Sequence, residues 1–582
     1  MILKNNLRKQ TLLNRICAFF SHFFQQDDRL LLIAIASFVG IFSGLAALLL
    51  NNALLGLEHF LHEYRIYWWA FILPACGAAL SSLFLNKVLK EGAGHGVPEV
   101  IYAVSRYGGL LRMRSAFSRI ISSCLTIGSG GSAGPEAPVV MSGASIGSNI
   151  AKYFGLNDRQ RVTIVGCGSA GAIASIFNAP IAGIVFTIEV ILGEWSAINI
   201  VPIAVAAVSG TEVSRLLKGN QIPFQHRQFS IDLPDILSCI GLALLCFLVS
   251  ILLTRGLRQM HRMVHHVHLP LWIRAAIGGS LVGLLGMILP DIMGEGYQAI
   301  RQMIEGNYSA GLLFALILVL SKILATTLTL GWGGSGGIFA PCLVIGSMTG
   351  LMYHRLITLV CPQVSWVNEG CFSLLGMAGL ISGILQAPLT GIFLIVEITG
   401  GYEVIVPLIL TSVLSSTLCQ FIEPASFYLK ELVEQGQLLR PGTDKRVLSD
   451  LTLKEIIDVH HTCVHQDMML RQFVEVIKKT RYHYYPVVDK KTRRFEGIIY
   501  PLEIRPHLFN IPLYDAVIVA QIMRTNIPTA TLNEDLNDVL KRMDRHQLSE
   551  IPIVSNARFI GMVSKETLLN RYRQELIVQT SG

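Results

Sequence analysis

Two apolar segments of this chain repeat one pattern of helix-breaking residues, and that repetition limits what the chain can fold into. The first segment runs from Gly134 to Gly147 and the second from Gly337 to Gly350, each residue of the second lying 203 positions after its counterpart. Each has a glycine, two residues, Ala-Pro, four residues, a glycine, three residues and another glycine. Interrupted apolar segments at corresponding places in two halves of a chain point to a binding site near the middle of a membrane.

A second pair of motifs repeats in the same way. An Ala-Pro pair at 179–180 leads to Glu189, and an Ala-Pro pair at 387–388 leads to Glu397, 208 positions later. We interpret both glutamates as structural residues that cap neighbouring half-helices. The apolar region therefore consists of two related halves.

The composition is that of an integral membrane protein. Of the 582 residues, 52% are hydrophobic and 15% are charged, whereas about 25% of the residues of a soluble protein are charged. Several apolar runs are shorter than the ~20 residues that cross a bilayer, which favours half-helices over a simple bundle of full spans. We expect a multi-pass membrane domain over 31–430, with halves of about 31–215 and 235–430.

The N-terminal segment 1–30 differs from this domain in charge. Lys4, Arg8, Lys9 and Arg15 precede the first apolar run, and basic flanks favour a cytoplasmic location. We expect both termini to be cytoplasmic and the protein to lie in the plasma (inner) membrane. The net charge of +8 reflects such flanks rather than nucleic-acid binding, and the 11 cysteines form neither a disulfide framework nor a metal site.

The interrupted segments have the chemistry of an anion site. A helix that begins inside a membrane presents unpaired N–H groups and the positive end of its dipole, and several such ends can hold an anion without a full positive charge. Proline fits the first helical turn, where no N–H is needed. The alternative is that these are ordinary Gly/Pro kinks in a membrane bundle, but two motif pairs at matching positions favour the anion site.

The composition changes near residue 430, and the segment 440–582 is charged, with a pattern that predicts alternating strands and helices. It contains a weaker repeat, because residues 484–499 and 550–563 each read as two strands joined by a turn. A helical pattern precedes each copy. We expect two similar α/β units, at about 446–506 and 519–575.

Three motifs give the apolar region a resemblance to a known family. Residues 94–99 (Gly-His-Gly-Val-Pro-Glu) are similar to the Gly-Ser-Gly-Ile-Pro-Glu loop of the CLC family of chloride channels and chloride/proton antiporters. Residues 134–138 (Gly-Pro-Glu-Ala-Pro) resemble its Gly-Arg/Lys-Glu-Gly-Pro segment, and residues 337–341 (Gly-Ile-Phe-Ala-Pro) resemble its Gly-x-Phe-x-Pro segment. The tail resembles the tandem cystathionine-β-synthase (CBS) domains of many members.

The resemblance implies a fold and an assembly. The implied fold class is an all-α polytopic membrane protein with an inverted repeat and broken half-helices, followed by a C-terminal α/β CBS-pair domain. Family members are homodimers in which each subunit has its own pore. The expected partners are therefore chloride and similar small anions, the lipid bilayer and a second copy of the chain, with no enzymatic activity and no required cofactor.

The resemblance also assigns roles to residues. Glu136 is expected to be the gate, because an ionised carboxylate competes with chloride for positive helix ends and a protonated one does not. The hydroxyl of Tyr428 is expected to bind the anion with the N–H groups of Ile338 and Phe339, the alternative for Tyr428 being an interfacial tyrosine. The other expected contributors are the anion contacts His95 and Gly96 and the loop residues Gly94, Val97, Pro98, Gly134, Pro135, Ala137, Gly337 and Pro341.

Two departures from the family pattern bear on mechanism. His95 replaces the usual serine, and because imidazole titrates near neutrality, conductance or selectivity is expected to depend on internal pH. Val190 replaces a glutamate that loads protons from the inside in many antiporters of the family, and valine cannot carry a proton. We therefore predict a passive, gated chloride channel, regulated by pH, voltage or the CBS domain. The alternative is a chloride/proton antiporter of the same fold.

Nucleotide binding by the tail is a weaker expectation. The CBS family's ribose-binding signature is Ser/Thr followed three residues later by Asp, and the chain offers Tyr500 with Glu503 and Ser564 with Thr567. Each copy keeps one element of the signature. The tail is accordingly either an adenine-nucleotide site or a structural dimerisation module.

A remote alternative is suggested by residues 333–336, which match the Gly-x-Ser-Gly of intramembrane serine proteases. Such an enzyme needs a histidine on a neighbouring membrane helix to activate the serine, and no later histidine lies in a predicted membrane helix. The glycines are better explained as the loop before a half-helix. His261 and His265 have the spacing of a metal pair, but no acidic residue nearby completes a site and no metal is expected.

Overall fold

The computed structural model describes residues 28–91, 96–220, 224, 229–308, 311–434, 453–459, 461–480, 482–532, 534–555 and 557–571. The chain divides into two compact units, Met1–Leu438 and Leu439–Gly582. The predictions for Gly94 and His95, and nearly all of the N-terminal segment 1–30, fall outside the described residues.

The first unit is built from helices joined by short turns. In chain order they are α1 (Asp28–His62), α2 (Ile72–Leu83), α3 (Val97–Tyr107), α4 (Ser115–Gly128), α5 (Glu136–Tyr153), α6 (Asp158–Phe177), α7 (Pro180–Phe186), α8 (Ala197–Lys218), α9 (Leu233–His265), α10 (Leu271–Ile288), α11 (Tyr297–Ile304), α12 (Leu312–Gly331), α13 (Phe339–Val360), α14 (Glu369–Leu385), α15 (Pro388–Thr399), α16 (Ile405–Ile422) and α17 (Phe427–Glu434). Single helical turns occur at Glu63–Ile66, Phe84–Leu89, Thr187–Leu192, Pro290–Ile292 and Tyr402–Val404.

Within the described residues, 8 helical stretches are long and apolar enough to cross a membrane. They are Arg29–Ile66, Ile72–Leu89, Ala197–Lys218, Leu233–His265, Leu271–Ile288, Leu312–Gly331, Phe339–Val360 and Tyr402–Lys430. The apolar helices Pro180–Leu192, Glu369–Leu385 and Pro388–Thr399 are shorter. The prediction of a largely helical, multi-pass integral membrane protein is confirmed.

The two halves pack their central helices in the same way. α5 crosses α6 where Gly143 meets Gly168, and a Cβ added to Gly143 would lie 2.2 Å from the Gly168 carbonyl oxygen. α13 crosses α14 where Gly346 meets Gly376, and a Cβ added to Gly346 would lie 2.6 Å from the Gly376 carbonyl oxygen. The equivalent glycines are separated by the same 203 and 208 positions as the sequence motifs. Small residues of this kind let membrane helices approach closely.

Each half also caps a helix of the other half. The Glu397 carboxylate, near the end of α15, accepts a hydrogen bond from the backbone N–H of Ala182 at the start of α7 (2.7 Å). The Glu189 carboxylate, which follows α7, accepts one from the backbone N–H of Thr390 at the start of α15 (2.7 Å). A carboxylate is stabilised there because it meets unpaired N–H groups and the positive end of the helix dipole. The interpretation of both glutamates as caps of neighbouring half-helices is confirmed.

The second unit contains two small sheets with helices packed against them. β1 (Val464–His465) pairs in parallel with β2 (Tyr485–Val488), which pairs antiparallel with β3 (Phe495–Ile499). β4 (Glu550–Ser555) pairs antiparallel with β5 (Arg558–Ser564). The helices are α18 (Leu453–Ile456), α19 (Leu470–Lys479), α20 (Arg505–Leu508), α21 (Val519–Ile522) and α22 (Leu536–Arg545). The mixed α/β tail agrees with the predicted fold class.

Candidate functional site

The two repeated segments meet at a backbone bridge. Gly134 donates its N–H to the carbonyl oxygen of Gly337 (2.8 Å), and Gly337 donates its N–H to the carbonyl oxygen of Gly134 (2.7 Å). α5 begins at Glu136 and α13 at Phe339, so the two helices start side by side just after the bridge. Neither glycine has room for a side chain, because a Cβ would lie 2.1 Å from Glu136 Oε2 at Gly134 and 2.9 Å from Ala137 Cβ at Gly337.

The Glu136 carboxylate is placed at the N-terminus of the other half's helix. The residue is 1% exposed. Its Oε2 accepts a hydrogen bond from the backbone N–H of Ala340 in the first turn of α13 (3.4 Å), and its Oε1 accepts one from the Tyr297 hydroxyl (2.6 Å). Because helix N-termini bind anions through their free N–H groups, this carboxylate occupies a donor of the kind that binds anions.

A third helix N-terminus adjoins these two. α3 begins at Val97, with Gly96 before it and Pro98 in its first turn. Gly96 has a φ of +85°, and a Cβ there would lie 2.7 Å from the carbonyl oxygen of Ala137. Both the backbone conformation and the close approach therefore require glycine. The structure therefore places Gly96, of the 94–99 motif, directly against the start of α5.

Ile338, Phe339 and Tyr428 are each buried, with 1%, 2% and 1% exposure. The Phe339 ring packs against the ring of Phe177, with centres 5.7 Å apart. Tyr428 lies in α17, which packs against α3, and its hydroxyl is within electrostatic range of Glu136. The predicted anion-binding residues that the structure describes therefore lie around the starts of α3, α5 and α13.

Val190 lies in the helical turn Thr187–Leu192, which follows α7. Its side chain is partly buried against the apolar core of the unit, and α3 packs against the same turn. The preceding residue, Glu189, is engaged in the cap of α15. The side chain at position 190 is therefore apolar and carries no titratable group.

The sequence motifs identify neither Tyr297, which contacts Glu136, nor Lys322, which contacts the backbone just before Tyr297. Tyr297 begins α11, and nothing in the sequence links it to a residue 161 positions away. Lys322 is 0% exposed in α12, and its ammonium donates to the carbonyl oxygens of Ile292 (2.9 Å) and Gly294 (3.1 Å). A lone charge in an apolar helix is a signal that could have revealed Lys322, since ionisable residues inside membrane helices are rare and usually functional.

The serine of the Gly-x-Ser-Gly motif belongs to the loop before α13. Ser335 is 3% exposed, and its hydroxyl forms a hydrogen bond with the hydroxyl of Ser122 in α4 (2.9 Å). Its backbone N–H donates to the hydroxyl of Thr126 (3.2 Å). These contacts fix the loop that leads into the half-helix. The expectation that no later histidine lies in a membrane helix is wrong, because His354 lies within α13. It stands roughly 22 Å along the helix from Phe339, and its ring packs against the ring of Phe372 with centres 5.5 Å apart, so it is too far from the loop to activate Ser335.

Residues of both predicted CBS units surround a cavity of about 180 Å³ in the tail. The cavity is lined by Asp458, Tyr482, His483, Tyr484, Glu550, Met562, Ser564 and Thr567. The hydroxyls of Ser564 and Thr567 lie 2.8 Å apart, and burial raises the pKa of the Glu550 carboxyl. Tyr500 and Glu503 are not among the described lining residues, and Glu503 is paired with Arg524 (2.9 Å). The structure thus brings only the second copy of the weak signature to this cavity.

Comparison with protein families accounts for both units. The profile of the family described as voltage gated chloride channel matches residues 77–420, which is more than half of the chain. The CBS domain profile matches residues 449–509 and 519–574. CBS domains commonly bind adenine nucleotides.

Curated relatives include bacterial proteins that are named as transporters. The chain is 30% identical over 401 residues to the H(+)/Cl(−) exchange transporter ClcA of Vibrio cholerae serotype O1 (strain M66-2), a match that covers 64% of this chain and 83% of the relative. It is 30% identical over 383 residues to the H(+)/Cl(−) exchange transporter ClcA of Citrobacter koseri, covering 63% and 79%.

Solved structures share the fold. A slow cyanobacterial Cl−/H+ antiporter matches with a TM-score of 0.63 at 22% identity, covering 71% of this chain and 98% of that chain. A eukaryotic CLC transporter matches with a TM-score of 0.59 at 18% identity, covering 92% of this chain and 97% of that chain. The chain therefore belongs to the CLC family of membrane anion transporters, is a transporter rather than a classical enzyme, and carries a CBS pair in its tail.

Proposed function

We propose that this protein exchanges chloride for protons across a membrane and that Glu136 is the gate that carries the proton. The observation that carries the proposal is the position of this buried carboxylate, which belongs to α5 and accepts a hydrogen bond at the N-terminus of α13. The relatives from Vibrio cholerae and Citrobacter koseri are named H(+)/Cl(−) exchange transporters. This favours exchange over the passive channel that the sequence analysis predicts from Val190.

The exchange would follow from two ligands using the same donors in turn. The ionised carboxylate of Glu136 binds the helix N-terminus and blocks the anion path. The protonated carboxyl loses that attraction and swings away, so chloride takes the freed N–H groups. If the carboxyl takes up its proton on one side and releases it on the other, each cycle moves a proton against the chloride ions.

The proposed chloride site lies where three helix N-termini meet. Its donors would be the backbone N–H groups of Gly96, Ile338 and Phe339 and the hydroxyl of Tyr428. The first N–H groups of a helix have no intrahelical partner, so they are free to bind a ligand. His95, which precedes Gly96 in the sequence and lies outside the described residues, is the proposed contact on the inner side.

Val190 favours the second candidate function, a passive chloride channel. No titratable group stands at position 190, and the neighbouring Glu189 is engaged by the N–H of Thr390 and by its hydroxyl (2.7 Å each). Val190 cannot carry a proton, and the Glu189 carboxylate is bound in the cap of α15. Exchange therefore requires an internal proton route that bypasses this turn.

The reversal potential of the purified full-length protein in lipid bilayers distinguishes the two candidates. It would be measured under a fixed chloride gradient, with and without a proton gradient. Exchange predicts a potential that moves with the proton gradient, and a channel predicts one that stays at the chloride Nernst potential. The matched variant Glu136→Ala should retain chloride flux and lose proton movement, and proton transport by that variant would refute the role of Glu136.

The organisation that we propose assigns transport to residues 31–430 and regulation to the tail, 440–582. The cavity beside Ser564 and Thr567 is the proposed adenine-nucleotide site. The family resemblance supports a homodimer with one pore per subunit. The basic N-terminal flank supports an inner-membrane location with both termini cytoplasmic.

A further inference from the structure

We propose that Tyr297 is a positioning residue for Glu136, whose hydroxyl holds the ionised carboxylate in the anion path and so sets the pH at which the gate opens. This inference rests on the proposed gating role of Glu136. Tyr297 would be a second component of the gate. It begins α11, in the second half of the chain, whereas Glu136 begins α5, in the first half.

The contact between the two side chains is short and enclosed. The Tyr297 hydroxyl lies 2.6 Å from Glu136 Oε1, a length typical of an O–H donor to a charged acceptor. The Tyr297 ring packs edge-on against the ring of Phe224, with centres 5.7 Å apart. Phe224 is itself 3% exposed and donates its backbone N–H to the carbonyl oxygen of Ile398 (3.0 Å). The ring is therefore held in one orientation by a residue of the connection between the two halves.

A buried cation fixes the backbone that presents Tyr297. Lys322 of α12 donates to the carbonyl oxygens of Ile292 and Gly294, just before the start of α11. The next glycine, Gly296, has a φ of +80°, and a Cβ there would lie 3.3 Å from Lys322 Nζ. A buried ammonium is tolerated only where such acceptors surround it, so Lys322 holds this turn in a fixed geometry.

The residue before Glu136 cannot stabilise the ionised carboxylate in place of Tyr297. It is Pro135, which has neither a positive charge nor an N–H group. The tyrosine hydroxyl, at 2.6 Å, is nearer to the carboxylate than the backbone N–H of Ala340, at 3.4 Å. We therefore expect Tyr297 to contribute much of the stabilisation of the ionised carboxylate.

Other titratable groups also face the gate and must be distinguished from Tyr297 in any pH experiment. The groups within electrostatic range of Glu136 are Glu295 just before α11, Tyr297 at the start of α11, Cys342 of α13 and Tyr428 of α17. Lys322 and Lys218 act on Glu295. The change Tyr297→Phe removes one hydroxyl and leaves Glu295, Cys342, Tyr428 and both lysines in place.

The expected effect has a definite sign. A donor to the ionised carboxylate favours the charged form, and the charged form closes the gate. Removing the hydroxyl should therefore let Glu136 take up its proton at a higher pH. We expect the pH of half-maximal chloride flux to rise by about one unit, which corresponds to a tenfold change in proton affinity.

The experiment measures chloride efflux from liposomes that contain the full-length protein, over a range of external pH. Tyr308→Phe is the matched control, because that hydroxyl also donates to a carboxylate, Asp291, over 2.6 Å. Tyr297→Phe should shift the midpoint upward and Tyr308→Phe should not. In a Glu136→Ala background, Tyr297→Phe should have no further effect, because the acceptor is gone.

The outcomes separate this inference from the proposed function. If Glu136→Ala removes the pH dependence and Tyr297→Phe leaves the midpoint unchanged, the gate stands and the positioning role is overturned. If Glu136→Ala leaves the pH dependence intact, the gating role itself is overturned. A midpoint that moves equally in Tyr297→Phe and Tyr308→Phe would show a general effect of lost packing and would also overturn the inference.

Discussion

At the residue scale, the proposed gate depends on which hydrogen-bond donors contact the Glu136 carboxylate. One carboxylate oxygen faces a backbone N–H of the second half, and the other faces a tyrosine hydroxyl of the second half. Both contacts favour a charged carboxylate, while its nearly complete burial opposes one. Because these effects oppose each other, a modest change in pH or in membrane potential can change the protonation of Glu136.

Glu136→Gln tests this balance directly. Glutamine keeps the shape of the side chain but cannot become negative, so we expect chloride flux to stay high and to lose most of its dependence on pH. In the wild-type protein a single titrating gate should change its open fraction by at most about tenfold per pH unit. Flux from liposomes at several pH values provides the measurement. A Glu136→Gln protein with the wild-type pH profile would mean that another group senses protons.

Lys322 yields a prediction about stability. Lys322→Met should lower the free energy of unfolding by about 1–3 kcal/mol for each carbonyl oxygen that loses its donor. The thermal midpoint of the detergent-solubilised protein provides the measurement, with the exposed Lys87→Met as control. Equal midpoints for the two variants would argue that the buried ammonium contributes nothing to the fold.

The residue scale also shows where sequence reasoning ends. The positions of Glu136, Ile338 and Phe339 follow from motifs that are contiguous in the chain, so a pattern can find them. Tyr297 reaches Glu136 from 161 positions away, and no local pattern encodes that distance. Lys322 carries a local signal, a single charge in an apolar helix, but its partners are backbone carbonyls that no sequence pattern identifies.

At the element scale, short helices depend on their ends. α7 and α15 begin at Pro180 and Pro388, and the carboxylates of Glu397 and Glu189 bind the N–H groups of their first turns. Short helices have little stability of their own, and a membrane supplies no water to satisfy free N–H groups. The exchange of caps between the halves therefore ties each half-helix to the other half.

Glu397→Ala should uncap α7 and destabilise the protein. The backbone N–H groups of Ile181 and Ala182 both donate to this carboxylate (3.0 and 2.7 Å). We expect a loss of about 1–3 kcal/mol, seen as a lower thermal midpoint. The control is Glu58→Gln, whose ion pair with Arg65 (3.3 Å) is partly exposed and should contribute about 0–1 kcal/mol. A Glu397→Ala midpoint within error of the control would mean that the cap is dispensable.

The element scale was the most predictable from sequence. The repeated spacing of glycine and proline indicates where α5, α7, α13 and α15 begin, because proline fits the first turn and glycine permits close approach. The sequence does not reveal that Gly134 and Gly337 pair with each other. That bridge depends on the packing of the two halves, which a linear pattern does not contain.

At the scale of the whole molecule, the chain joins a transport unit to a tail with its own small sheets. The tail was predictable as a repeated α/β pattern, but its cavity was not, since the lining residues come from segments as far apart as Asp458 and Thr567. The cavity contains two carboxylates, Asp458 and Glu550. These repel a phosphate group, so they bear on the proposed nucleotide site.

Burial raises the pKa of the Glu550 carboxyl, so this group takes up a proton at a higher pH than an exposed glutamate does. As the pH falls, the cavity loses negative charge and should bind an adenine nucleotide more tightly. Glu550→Gln should reproduce that gain at neutral pH, by roughly fivefold if about 1 kcal/mol of repulsion is removed. Binding of adenosine monophosphate to the full-length protein, measured by calorimetry, provides the test.

Two variants give this prediction its controls. Glu475→Gln removes an exposed carboxylate of α19 that pairs with Lys478 (2.7 Å) and does not line the cavity, so it should leave affinity unchanged. Ser564→Ala should weaken binding, because Ser564 is the retained element of the ribose signature. If no variant and no pH produces measurable binding, the tail is better explained as a dimerisation module. If Glu475→Gln and Glu550→Gln both tighten binding equally, the cause is a general effect of net charge. The ligand would then not bind beside Glu550.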